Sequence, residues 1–188
     1  MIQGYCGYGG LVSQGPSSLN NSGRRLSQDC YMSFEKENFL RTKLIRYLQQ
    51  LDPSTPPRWG KMNVQQMIEH CSGDVFRTAN GRIKITEIVT PPELLQKMRD
   101  WLMSDRPFKE NIKNPLLGEE PRPLHFKTVQ GAIGALQQEI IYFFEVFDNN
   151  PSLITRNPFY GDLDFEQNVQ LLYKHSLHHL RQFGVEPL

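Results

Sequence analysis

Apolar residues recur in steps of three and four along much of this chain, and four such stretches predict four helices. In the first, over 34–51, Leu40, Leu44, Tyr47, Leu48 and Leu51 share a face, while Lys36, Arg41, Lys43 and Gln49 lie on others. Asp52 and Pro53 end it, and Pro56 and Pro57 keep the chain extended through Trp59 and Gly60. The second stretch opens on a capping signal. Asn63 caps the backbone, Gln66 completes a capping box, and Met62 staples onto Met67. It is expected to run to Asn80 with Val64, Ile68, Cys71 and Val75 inward, and Gly81 stops it.

The third helix is expected over 128–148, where Val129, Ile133, Leu136, Ile140, Phe143, Phe144 and Phe147 keep the period. Ile140 to Phe147 also has strand-like composition, but the regular spacing begins eleven residues earlier and favours a helix. Asn149, Asn150 and Pro151 end it. A loop containing Asn157, Pro158 and Gly161 then leads to a second capping pair, Asp164 and Gln167. The fourth helix, 165–183, turns Phe165, Val169, Leu172, Leu177 and Leu180 inward and stops at Gly184. Residues 82–126 are less regular: Ile83, Ile85 and Ile88 alternate briefly, 92–103 reads as a short helix, and Pro107, Pro115, Pro121 and Pro123 follow. This is a long crossover connection. The expected fold is all-α, a four-helix bundle whose members span roughly 25 to 32 Å each.

Residues 1–31 are rich in Gly, Ser, Asn and Gln and hold one acidic residue, Asp29, beside Arg24 and Arg25. They are expected to be a disordered tail, leaving 32–188 as the helical domain. The glycines spoil the amphipathic helix of an organellar transit peptide, and no secretory signal is read there. Met32 is the expected native start, which N-terminal sequencing of the natural protein tests. Cys6, Cys30 and Cys71 form no close Cys-x-x-Cys pair, and their odd number argues against a disulfide framework, so a reducing cytoplasm suits them. With 21 basic and 20 acidic residues the net charge is +1, which gives no field to steer nucleic acid. No stretch reaches the roughly 18 apolar residues of a membrane-spanning helix.

The candidate chemistry lies in the fourth helix, which carries His175, Ser176, Leu177, His178 and His179. At 100° per residue, His175 and His179 stack on one face near the inward stripe, while His178 is expected to face solvent. His70, near Met67 and Asp74 on the second helix, is the candidate third ligand. Three neutral imidazoles suit zinc, nickel, copper or iron and leave coordination positions open for reactive chemistry. Against this stands the plainer reading that interior histidines merely hydrogen-bond carbonyls. His125 reads as a loop residue and Cys71 as a small buried apolar group; Trp59 either caps the pocket or packs on the core, with packing favoured. Glu69 is expected on the solvent side, and Asp74 as an acceptor behind His70; neither is assigned as a general acid or base.

The blocks Pro57-Arg58-Trp59-Gly60-Lys61-Met62, Gln66-Met67-Ile68-Glu69-His70 and Tyr173-Lys174-His175-Ser176-Leu177-His178-His179-Leu180-Arg181-Gln182-Phe183-Gly184 resemble the signatures of the DUF 1569 branch of the DinB/YfiT-like superfamily. The resemblance covers about residues 34–186. It implies a four-helix bundle that binds a metal through one histidine of the second helix and two of the last, here His70, His175 and His179. Relatives in that superfamily include thiol-dependent S-transferases and a mycothiol-dependent maleylpyruvate isomerase, and members are often dimers. Its name records induction by DNA damage and implies no contact with DNA. This chain departs from the usual pattern with Asn157 in place of a common histidine, Tyr160 in place of phenylalanine and Asn168 in place of tryptophan.

The resulting expectation is a divalent-metal-dependent enzyme of thiol S-transferase or hydrolase type. Zinc is the expected ion, with nickel, iron or manganese as alternatives, and it activates a water or a low-molecular-weight thiol for a small-molecule substrate. The alternative is a non-catalytic metal-binding or partner-binding helical bundle. A homodimer is in keeping with the resemblance.

Overall fold

The computed structural model describes residues 34–111, 116, 118 and 120–187. The expected N-terminal tail and start site lie outside them. Five helices and one short hairpin make up the described chain. Helix α1 (34–50) contains a π-helical turn, Phe39–Lys43, before its last segment, Leu44–Gln50. Helix α2 (64–79) runs from Val64–His70 through a π-helical stretch, Cys71–Phe76, to Arg77–Ala79. Helix α3 is Pro92–Met103, α4 is Val129–Asn149 and α5 is Phe165–Gln182.

Both capping boxes form as the sequence predicts. The Asn63 side chain accepts from the backbone N–H of Gln66, whose side chain accepts from Asn63 in return, and Asp164 and Gln167 repeat the exchange at the start of α5. Thr128 caps α4 by accepting from the N–H of Gly131 at 3.1 Å. Asp164→Ala removes one such cap and is expected to cost about 1 kcal/mol. A urea titration should show this as a lower midpoint with an unchanged slope.

Helix α4 packs against α1 and α2, and α5 packs against α1, α3 and the π-helical part of α2. All four long helices contribute to one apolar cluster that includes Leu40, Leu48, Ile68, Leu136, Phe143 and Leu172. A smaller cluster of Leu102, Tyr160, Leu163 and Leu171 seats α3 and the hairpin against α5. The fold is thus mainly helical, with the short helix of the crossover where the sequence placed it.

Two features differ from the sequence expectation. The extra residue in the π-helical stretch of α2 turns its inward face onward, so Phe76 is buried at 1% exposure while Val75 is only partly covered. The segment read as a loop around Asn157 forms an antiparallel hairpin, β1 (Thr155–Asn157) with β2 (Gly161–Leu163). The Asn157 side chain accepts from the N–H groups of Phe159 and Tyr160, Gly161 takes a left-handed φ of 73°, and Arg156 forks onto Asp162 across the strands. Buried Asn168 ties the hairpin to α5 by donating to Thr155 Oγ1 and to the carbonyls of Leu163 and Asp164. Asn157, Tyr160 and Asn168 therefore shape this hairpin. Among the described residues no helix is long and apolar enough to cross a membrane.

Candidate metal centre

Each ligand candidate is placed by local helix rules. His70 sits in the first, regular part of α2, whose register is set by the Asn63 capping box. His175 and His179 lie one turn apart on α5, whose register is set by Asp164. Because α5 packs on the π-helical part of α2, the three rings meet. His175 Nε2 lies 3.3 Å from His70 Nε2 and 2.9 Å from His179 Nε2. All three donor atoms fall within 4.8 Å of one another.

These separations fit a shared cation, since bonds of about 2.0 to 2.1 Å in tetrahedral array hold nitrogens roughly 3.3 Å apart. The outer nitrogens fit as well. His70 Nδ1 lies 3.0 Å from Asp74 Oδ2, and the other Asp74 oxygen accepts from Arg122 at 2.7 Å. His179 Nδ1 lies 2.8 Å from Gln182 Oε1. Held ring orientations of this kind are the usual support of metal-ligating histidines.

Burial keeps the two donors of α5 neutral. Burial lowers the pKa of His179 to about 3, with a further push from the His70 charge, and burial followed by His179 and His70 holds His175 well below its ordinary value. Burial raises Asp74, but the hydrogen bond and charge of His70 and the Arg122 guanidinium outweigh it, so Asp74 stays below the usual carboxylate range and ionised at neutral pH. Cys71, next in the chain after His70, is buried, and burial pushes its thiol up to about 12. It is the inert apolar group the sequence suggests. His125 likewise is an exposed loop residue, its ring against Phe126.

Three other expectations are corrected. His178 does not face open solvent: its ring lies 5.5 Å from that of Trp59, 5.3 Å from that of His179 and 6.1 Å from that of Phe108. Trp59 is not part of either apolar cluster; with Pro107, Phe108, Lys174, His178 and Arg181 it lines a recess of about 140 Å³ on the flank of α5. Glu69 is half-buried and pins the end of the crossover, accepting from Gln65 Nε2 and from the backbone N–H groups of His125 and Phe126. In each case the partner comes from a segment distant in sequence, which helical spacing does not reveal.

Lys174 was also not legible in the sequence. It is buried, and its ammonium donates to the carbonyls of Trp101, Leu102 and Ser104 at 3.0 to 3.1 Å while lying 4.2 Å from the centre of the Trp101 ring. The cation thus closes the C-terminal, negative end of α3. Burial lowers its pKa to about 8. This anchor fixes the chain just before Phe108, whose ring stacks on Trp101 and meets His175 edge-on at 6.0 Å. The signal for Gln182 and Asp74 was present, since they stand three and four residues after His179 and His70, where helix neighbours touch.

Comparison of the chain with family models, with curated proteins and with solved structures finds no match.

Proposed function

We propose that this chain is a divalent-metal-dependent enzyme of the DinB/YfiT-like type, its four long helices forming the bundle and His70, His175 and His179 holding the ion, zinc in the first place. The observation that carries this reading is the convergence of three imidazoles, with His175 Nε2 lying 2.9 Å from His179 Nε2 and 3.3 Å from His70 Nε2. His70, His175 and His179 would hold the ion, which when bound would supply Lewis acidity and lower the pKa of a water or a thiol towards neutral pH. Asp74 and Gln182 orient two of the rings, and Phe108 covers one side of His175. The substrate is a small molecule, and a low-molecular-weight thiol is the nucleophile we favour over water on the strength of the sequence resemblance. A homodimer in the cytoplasm completes the proposal.

Elemental analysis of protein purified without an affinity tag should find one equivalent of divalent metal per chain. Thiol consumption in the presence of small electrophiles then reads turnover. A chain that carries no stoichiometric metal sinks the proposal, and a metal-loaded chain that consumes neither thiol nor ester leaves the non-catalytic metal-binding bundle in its place.

A further inference from the structure

We infer that the backbone carbonyl of Trp59, acting through the side-chain amide of Gln182, fixes which nitrogen of His179 carries the proton, so that Gln182 is a positioning residue for the metal centre. The inference rests on the reading of the three imidazoles as ligands. A backbone carbonyl has no hydrogen to give, so the end of the Gln182 amide that lies 2.7 Å from the Trp59 oxygen is its NH2 group. This turns the amide oxygen towards His179 Nδ1, 2.8 Å away. That oxygen only accepts, so Nδ1 carries the hydrogen. A neutral imidazole has one N–H, and Nε2 is left with a bare lone pair directed at the site shared with His70 and His175.

The surroundings hold the amide in this one orientation. Gln182 is 2% exposed, so bulk water has little access to its amide. Its own backbone carbonyl accepts from the N–H of Arg58 at 2.7 Å, which docks the 58–60 turn onto the end of α5. Gly60 has a φ of 77°, and a Cβ there would stand 2.8 Å from Gln182 Nε2. Only glycine meets both the left-handed backbone and the close approach. The Pro57 to Gly60 turn, more than a hundred residues before α5, thereby reaches a ligand it does not touch. His70 is held by a carboxylate instead, so the ligands receive unequal support: Asp74 adds negative charge behind one ring, and the neutral amide adds none behind the other.

The direct test is long-range proton–nitrogen NMR on the metal-free chain labelled with 15N-histidine. His179 should show a protonated Nδ1 and an unprotonated Nε2; the reverse tautomer overturns the inference without any variant. Gln182→Leu keeps the bulk but removes the acceptor, and it should mix the two tautomers and raise the zinc Kd about 10- to 100-fold, the usual effect of losing such a partner. Gln182→Glu retains an acceptor for Nδ1, so it should keep the tautomer and bind zinc more tightly than Gln182→Leu. Gly60→Ala, remote from the ligands, should weaken zinc in the direction of Gln182→Leu. A Gln182→Leu chain with the parent's tautomer and zinc affinity overturns the inference. A parent chain with protonated Nδ1 but no zinc binding upholds the relay and removes the ligand reading, so the two failures are distinguishable.

Discussion

Alanine in place of His175 is expected to raise the zinc Kd by more than about 100-fold, above the range typical of losing an outer-shell partner, because a direct bond to the ion is lost. His175 is the residue to remove because it stands between the other two, with its Nε2 at 2.9 Å from one donor and 3.3 Å from the other. Without it, one donor remains on α2 and one on α5. A competition titration against a chelator of known zinc affinity measures the change, and circular dichroism confirms that the helices persist. His125→Ala is the control: that side chain is exposed in the crossover, so the variant should bind zinc as the parent does. Equal affinities for the parent and the His175→Ala chain would remove the three-ligand reading.

What the sequence disclosed is what short-range chemistry determines. Asn63 with Gln66, and Asp164 with Gln167, set the starts of two helices within four residues each, and both capping boxes form. Once those registers are set, the i, i+4 relation of His175 to His179 follows from the helix itself. The inward position of His70 also survives, because it precedes the π-helical stretch; Val75, which follows the start of that stretch, packs against the core but is only partly buried, and Phe76 takes the fully buried position. A π turn has no reliable local signal, since it is stabilised by packing. The hairpin was hidden for a related reason: its strands are three residues each, too short to show alternation. The places of Lys174, His178 and Glu69, and the choice between the two roles of Trp59, are not legible in the sequence because each is defined by a partner from elsewhere in the chain. The ammonium of Lys174 reaches carbonyls about seventy residues earlier in sequence, and no periodicity foretells that. The convergence of three histidines could be expected from matched helices, whereas the walls around them depend on where the crossover happens to lie.

Phe143→Ala is expected to cost about 3 to 5 kcal/mol of stability, the range for truncating a buried aromatic ring. The ring is fully buried in the middle of α4, with Phe144 and Phe147 at 5.1 Å and Phe165 at 6.0 Å between centroids. Two of these neighbours stand on the same helix as the deleted ring, so they cannot slide in to fill the space, and the cavity remains. Urea unfolding should show a much lower midpoint. Phe165 is the first residue of α5, ten residues before His175, which is about 15 Å along the helix. At that distance the two sites should be independent to within about 0.5 kcal/mol, so the folded variant should bind zinc within roughly twofold of the parent. The metal should in turn stabilise parent and variant by the same increment, because it acts by mass action on the folded state of each. If zinc affinity instead fell in step with stability, the three imidazoles would be assembled by the ion and not held ready for it. Such a result would make metal binding part of the folding reaction and count against a site whose donors are already oriented by Asp74 and Gln182.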